Sequence, residues 1–140
     1  MVIRHFGSKD RLFAEAMRRP DLLQTRLSPK DREGLGERLV RYALSLDGDS
    51  REYHMLVALL RSASHTPAAG ALGEMSEDAV KIVEGWLAGS HSETRAALIC
   101  SQLTGIFILR SVFQIKSLSL SDDEEIVRRI SPSIQALIDE

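Results

Sequence analysis

Cysteine, aromatic residues and long apolar runs are all scarce in this sequence. The 140 residues include one cysteine, Cys100, and aromatic residues make up 5%. A single cysteine excludes a disulfide scaffold within the chain and fits a reducing cytosol. The most apolar stretch, 103–109, contains Thr104 and Gly105 and ends at Arg110, whereas a membrane span needs roughly 20 apolar residues. We therefore expect a cytoplasmic protein with no membrane partner.

Catalytic and metal-binding signatures are also missing. The sequence has no Walker motif, no nucleophile elbow and no zinc-protease motif, and its four histidines show no metal-ligand spacing. Gly34-Leu35-Gly36 lacks the third glycine of a phosphate-binding loop and follows no predicted strand, so we assign it to an ordinary loop. We expect no enzyme, no cofactor and no metal site.

Helical periodicity is present from end to end. Apolar residues recur at helical spacing, and proline, glycine and short polar stretches separate the segments. No Asn-Gly or Asp-Gly turn joins alternating apolar strands. The pattern predicts an all-α fold of about six helices, of which the first begins at Ser8 and ends near Pro20. The others are predicted at 35–46, 52–64, 67–88, 93–117 and 122–138.

The penultimate predicted helix carries apolar residues in nearly every direction around its axis. Such a helix must be covered on all sides, and a chain of 140 residues offers few places to bury one completely. Small residues four apart on one side would let a partner helix approach closely. We predict a homodimer in which the last two helices form a four-helix bundle; an interior helix in a monomer is the alternative. The predicted interface residues are Ala97, Ser101, Gly105, Val112, Val127, Ile130, Ile134 and Leu137.

Basic residues are concentrated near the N-terminus. The net charge is −2, but residues 1–41 carry +4 and residues 42–140 carry −6. This asymmetry is a weak indication of a polyanionic partner near the N-terminal end, and an ordinary solvated surface is the alternative.

Residues 2–13 read Val-Ile-Arg-His-Phe-Gly-Ser-Lys-Asp-Arg-Leu-Phe. This string resembles the signature of the tetracycline-repressor (TetR) family of transcription regulators, at the point where the recognition helix ends and a linker helix follows. Residues 94–138, with Ser-Gln-Leu-Thr-Gly at 101–105 and Ser131-Pro132, are similar to the last two helices of actinobacterial-type members. Residues 20–93 match the family only in their helix pattern.

The resemblance implies a ligand-responsive repressor with two parts. Residues 1–19 would be a remnant of the helix-turn-helix DNA-binding domain and the start of the linker helix. Residues 20–140 would form the effector-binding and dimerisation domain. Donor groups at a helix end and at the next helix start suit phosphate contacts, which position a protein without reading sequence. The predicted DNA-phosphate contacts are Arg4, His5, Ser8 and Lys9, and a capped turn with solvated charges is the alternative.

Most of the helix-turn-helix is missing ahead of this motif, because only 1–6 precede the turn. Base-contacting side chains lie at the start of the second helix of such a motif. We therefore expect impaired specific DNA binding, with operator DNA as a partner if the missing helices are present. A truncated product or an alternative start site would each explain the missing part. The alternative function is a dimeric interaction or small-ligand-binding module that does not read DNA.

The resemblance also implies a pocket for a small hydrophobic or amphipathic effector among the central helices. The candidate lining residues are Tyr42, Met55, Leu59, Met75, Trp86, Gln102, Phe107 and Arg110, and core packing is the alternative for each. Arg110 differs from the rest because a charge within an apolar helix needs a partner. An acidic effector, a carboxylate such as Glu84, and water at the dimer edge remain open as that partner.

Overall fold

The computed structural model describes residues 27–46, 51–61 and 66–140. Within these ranges the chain forms helices and no strand, which confirms the all-α class. The α-helices are α1 (Leu35–Ser45), α2 (Arg51–Arg61), α3 (Thr66–Glu84), α4 (Ser92–Phe107), α5 (Lys116–Ser119) and α6 (Asp123–Asp139), and a π-helical segment (Ile108–Val112) follows α4. The predicted first helix and the predicted DNA-binding remnant at 1–19 lie outside the described residues.

The core lies where α1 packs along α6, with α4 against both helices. The apolar residues that recur at helical spacing in α1 are all buried, so the helix predicted at 35–46 is confirmed. They are Leu35, Leu39, Val40 and Ala43. Burial of these side chains is the main stabilising contribution, at roughly 1.5–3 kcal/mol for each large apolar side chain. The most deeply buried members of this core are Leu35, Val40, Ile99, Ile134 and Ile138.

α1 and α6 cross very closely at Gly36, in the first turn of α1. A Cβ atom at this position would lie 2.8 Å from the backbone nitrogen of Gln135 and 3.0 Å from the carbonyl oxygen of Ser131. The Gly36 N–H donates to Gln135 Oε1 at 2.8 Å, and Gln135 Nε2 donates to the Arg32 carbonyl at 2.8 Å. Gly36 is therefore a helix-crossing position. It lies in the helix that periodicity predicted at 35–46, and the assignment of Gly34-Leu35-Gly36 to a loop is wrong at this residue.

We expect Gly36→Ala to destabilise the fold by about 1–3 kcal/mol, because the added methyl group meets helix backbone that must shift. This loss opposes the gain of about 1 kcal/mol that alanine normally brings to a helix. Urea unfolding followed by circular dichroism measures the difference. The matched control is Gly70→Ala in α3, where no atom lies within 4 Å of the Cβ position. Equal stability of Gly36→Ala and the wild type would show that the crossing is looser than described.

An exposed ion-pair cluster joins the outer sides of the same two helices. Arg41 Nη1 lies 2.7 Å from Glu124 Oε1, and Arg41 Nη2 lies 2.8 Å from Glu37 Oε1. Hydrogen bonding from the Arg41 guanidinium lowers the pKa of the Glu124 carboxyl. Because all three groups are exposed to solvent, we assign the crossing at Gly36, and not this cluster, the main role in holding α1 on α6.

α3 and α4 form an antiparallel pair joined by a short turn. α3 ends at Glu84, earlier than the predicted 67–88, and the turn passes through Gly89 with φ 87°. At this joined end the Ser92 hydroxyl donates to Glu84 Oε1 at 3.1 Å. Trp86, predicted to lie within α3, therefore lies in the connection after it, half-buried against the core.

The helix predicted at 93–117 is interrupted. After α4 the Phe113 N–H donates to the Ile108 carbonyl at 2.8 Å, which adds one residue to the helical turn, and Gln114 has φ 52°. The chain then forms the short α5 before α6. Apolar periodicity does not reveal a single inserted residue, because the flanking turns remain helical.

The last helix agrees with the prediction except at its cap. α6 begins at Asp123, and the side chain of Asp122 accepts from the Glu124 N–H at 3.4 Å. Ser121, which lies three residues before Glu124 as the first residue of a capping box would, instead donates to the Ser117 carbonyl at 2.6 Å. Pro132 lies inside α6 at an exposed position, where its missing N–H removes one helical hydrogen bond.

By length and composition, one described helix is apolar enough to cross a membrane. This helix, Ser92–Val112, has 21 residues, and an 18-residue window within it has a mean hydropathy of 1.3. The sequence-based statement that no stretch comes near this length is therefore wrong by that measure. One helix of this kind is weak evidence for a membrane span, and α4 packs against α1, α3 and α6, so this feature does not indicate a membrane protein.

Candidate functional site

One side of α4 is exposed and uncharged. No charged residue occurs between Arg95 and Arg110, and Ala97, Leu98, Ser101 and Thr104 are all exposed. We call this side the α4 face; at its far end it continues into the exposed side chains of Leu109 and Phe113. Leu98 and Phe113 expose 47% and 67% of their surfaces. A run of exposed large apolar side chains on one helix side is typical of an interaction surface.

The centre of the α4 face is open, and the Ser101 hydroxyl there is already hydrogen-bonded. No atom lies within 4 Å of a Cβ built at Gly105. The Ser101 hydroxyl donates to the carbonyl of Leu98 at 2.8 Å. Because that hydroxyl is already satisfied within its own helix, a partner can cover it without adding an unpaired polar group.

α6 lies beside one edge of the α4 face. Gln102 is four residues after Leu98 and three before Gly105, so all three lie toward the same side of the helix. The Ser133 hydroxyl of α6 donates to Gln102 Oε1 at 3.1 Å. Gln102 thus joins α4 to α6, although it was predicted to line an effector pocket.

The predicted interface residues of α6 need correction. Val127 and Ile134 expose only 4% and 0% of their surfaces and belong to the core of the subunit itself. Ile130 and Leu137 are half-buried against the same core. α1 packs along the apolar stripe of α6, so Val127 and Ile134 are not available to a second copy, whereas Ile130 and Leu137 remain partly exposed. The predicted α4 residues and Val112 retain exposed or half-exposed positions.

The predicted pocket residues do not surround a single small site. Trp86 lies at the joined end of α3 and α4, whereas Arg110 lies eighteen residues after Ser92, a rise of about 27 Å. Tyr42 is half-buried against the core, and Met75 is half-buried midway along α3. Met55 and Leu59 belong to α2, but their side chains lie outside the described residues.

α2 contacts the π-helical segment through Tyr53, a residue that was not among the predicted pocket residues. Its hydroxyl donates to the Ser111 carbonyl at 3.2 Å, and its ring meets the ring of Phe107 edge to face at 6.2 Å. The Ser111 carbonyl can accept this bond because the Ile115 N–H, its partner in a regular α-helix, donates to the Leu109 carbonyl instead. The π-helical geometry therefore creates the contact with α2.

Arg110, within the same segment, has a partner for only one of its two terminal nitrogens among the described residues. Its Nη2 donates to Asp123 Oδ1 in the first turn of α6. Its Nη1 is buried and has no hydrogen-bond partner among the described residues, a situation that costs about 1–3 kcal/mol for a buried donor. Of the three partners left open above, a carboxylate is therefore present, but it belongs to Asp123. Glu84, the example named from sequence, accepts from Ser92 at the other end of α4.

Comparison with known proteins decides the family. Residues 33–138 match the family model described as "Tetracyclin repressor-like, C-terminal domain". The chain belongs to the TetR family. A crystal structure of a TetR-family regulator from Streptomyces coelicolor A3 is similar, with a TM-score of 0.60 and 21% identity over 96% of this chain and 94% of that chain. This likeness shows a shared fold. A search of curated proteins found no match.

The resemblance read from the sequence is thus confirmed at the level of a TetR-like transcriptional regulator. The predicted phosphate contacts of the TetR DNA-binding domain, Arg4, His5, Ser8 and Lys9, lie outside the described residues and stay predictions. Within the described part of the chain, no group of three or more histidine, cysteine, aspartate or glutamate side chains could hold a metal ion.

Arg95 is a further important position of this TetR-like domain, and sequence reasoning missed it. The side chain is 3% exposed. Its Nε donates to the Ser90 carbonyl at 3.0 Å, Nη1 to the Leu137 carbonyl at 2.8 Å, and Nη2 to the Ala88 carbonyl. Arg95 therefore joins the α3–α4 turn to the C-terminal end of α6, where a cation is electrostatically favoured. The signal that singled out Arg110, a charge within an apolar helix, applies equally here.

Proposed function

We propose that this chain acts as a homodimeric, ligand-responsive regulator of transcription in the cytoplasm. The α4 face is the observation that supports the proposed homodimer, because its apolar residues are exposed in the single subunit. Small residues at Ala97, Ser101 and Gly105 allow two helices to approach closely, and Leu98 and Leu109 would cover the contact from its edge.

The exposed edge of α6 completes the proposed interface. Ser133 and Ala136 are both exposed and small, and Ser133 lies beside α4 through its hydrogen bond with Gln102. Two copies related by a two-fold axis would place α4 and α6 of each subunit in a four-helix bundle. This arrangement keeps the predicted bundle but replaces the buried side of α6 with its exposed edge.

We place the effector where α2 meets the π-helical segment, beside Tyr53, Phe107 and Arg110. Aromatic walls with one polar donor suit a small hydrophobic or amphipathic molecule. Such a molecule changes DNA affinity only if it binds two conformations of the dimer with different affinities. The DNA contact is assigned to the segment before residue 27, through the phosphate contacts predicted from the sequence.

Sedimentation equilibrium on the chain tests the dimer directly. We expect a species of twice the 15.6 kDa chain mass whose population rises with protein concentration. The same run at raised salt is expected to give a similar dissociation constant, because the α4 face is uncharged. A single species of 15.6 kDa at all concentrations would eliminate the proposed dimer.

A further inference from the structure

We infer that Arg110 anchors the effector, and that the group it holds is an uncharged oxygen acceptor on a largely apolar molecule. This inference rests on the proposed ligand response and specifies its chemistry. The assigned contact is a hydrogen bond from Arg110 Nη1 to a ketone, ester, amide or alcohol oxygen.

The buried nitrogen of Arg110 supplies the first argument. Nη1 is enclosed by protein and has no hydrogen-bond partner in the described part of the chain, although Nη2 of the same guanidinium is paired with Asp123. Buried donors in folded proteins almost always have an acceptor, and an exception requires an explanation. A ligand oxygen would provide the missing acceptor once the side chains that enclose Nη1 move apart to admit it.

The charge balance supplies the second argument. The carboxylate of Asp123 already neutralises the guanidinium of Arg110, so the site lacks an acceptor and not a negative charge. A ligand carboxylate on Nη1 would share one guanidinium with Asp123, and the two like charges would repel each other at short range. An uncharged oxygen accepts the same hydrogen bond without this repulsion.

The side chains around Arg110 indicate the chemical character of the rest of the ligand. Phe107 is buried, its ring meets that of Tyr53, and the neighbouring Ile108 and Val112 are half-buried. These are apolar side chains, so the body of the ligand should be apolar. The π-helical turn also leaves local backbone outside the regular hydrogen-bond pattern, and such turns occur frequently at functional sites.

Ligand binding at Arg110 would also affect α6, through the ion pair with Asp123. Asp123 lies in the first turn of that helix, and Arg110 connects it to the π-helical segment. A ligand on Nη1 orients the guanidinium whose other nitrogen holds Asp123. Ligand occupancy is thus coupled to the N-terminal end of a helix in the proposed dimer interface.

Two probes of equal chain length, 2-decanone and decanoate, test the inference on the dimeric chain by calorimetry and by amide chemical shifts. We expect 2-decanone to bind about 10-fold more tightly than decanoate and to shift the amides of 107–112. Loss of the anchor in Arg110→Met should weaken 2-decanone binding about 10-fold. The matched control, Arg128→Met, removes an exposed arginine of α6 and should leave both affinities unchanged.

Asp123→Asn provides an independent test because it removes the balancing charge without removing the guanidinium. In this variant we expect the preference to move toward decanoate. Arg110→Lys keeps the charge and one donor for Asp123. If Arg110→Met fails to fold, this variant replaces it in the binding measurement and should likewise weaken 2-decanone binding.

Three results would overturn the inference. Tighter wild-type binding of decanoate would refute the uncharged acceptor. Binding unaffected by Arg110→Met, with amide shifts elsewhere, would refute the anchor while the proposed ligand response survived. No binding of either probe would count against both.

Discussion

Replacing Gly105 with leucine is expected to leave the subunit folded and to weaken its self-association about 100-fold or more. No atom lies within 4 Å of the Cβ position in the single subunit, and leucine is a better helix former than glycine by up to about 1 kcal/mol. In the dimer, the new side chain occurs twice at a close helix contact. Overpacking costs about 1–3 kcal/mol per site, and each 1.4 kcal/mol changes the dissociation constant about tenfold.

The matched control for this prediction is Gly73→Leu. Gly73 is an exposed glycine of α3 that also has no atom within 4 Å of its Cβ position, but it lies away from the α4 face. Sedimentation equilibrium gives the dissociation constants, and thermal unfolding at low concentration shows that both variants fold. If Gly105→Leu and Gly73→Leu associate as strongly as the wild type, the interface lies elsewhere.

Replacing Arg95 with methionine is expected to lower the free energy of unfolding by about 3 kcal/mol. The methionine keeps an unbranched apolar stem but leaves three carbonyl groups, at Ala88, Ser90 and Leu137, without their donor. Hydrogen bonds from a charged donor contribute about 1.5–3 kcal/mol each, and relief of the buried charge offsets part of that loss.

Urea unfolding at fixed protein concentration measures the effect of Arg95→Met, because concentration also governs a dimer's stability. Arg95→Lys should fall between the wild type and Arg95→Met, since an ammonium group cannot reach three carbonyls in the fixed directions of a guanidinium. Arg128→Met, at an exposed arginine, should barely change the unfolding midpoint. A loss no larger for Arg95→Met than for Arg128→Met would contradict the role assigned to Arg95.

Local patterns in the sequence predicted the helices well. The stripe of α1 and the helix start at Thr66-Pro67 depend on neighbouring residues, and the structure has both. The apolar character of α4 on all sides correctly indicated that its own subunit would not cover it fully: Leu98 is exposed while Ile99 is buried.

Long-range pairing could not be read from the sequence. Periodicity shows that α6 has an apolar side containing Val127 and Ile134, but not which helix covers it, and the answer is α1. Arg110 pairs with Asp123, thirteen residues away, only because the chain turns back after the π-helical segment. The predicted pocket residues stay a prediction: Trp86 and Arg110 lie toward opposite ends of α4, and the sequence shows which side of a helix is apolar but not which sides meet.

Arg38 connects the segment ahead of α1 to that helix. Its Nε donates to the Leu27 carbonyl at 2.8 Å, and its Nη1 donates to the Glu33 carbonyl at 2.9 Å. Since α1 also crosses α6 closely at Gly36, these contacts connect Leu27 to α6 through α1. In the proposed dimer, a rotation of α6 relative to α6 of the second copy would therefore also displace Leu27. In a symmetric pair, that motion would alter the spacing between the two N-terminal segments with no bend in α1.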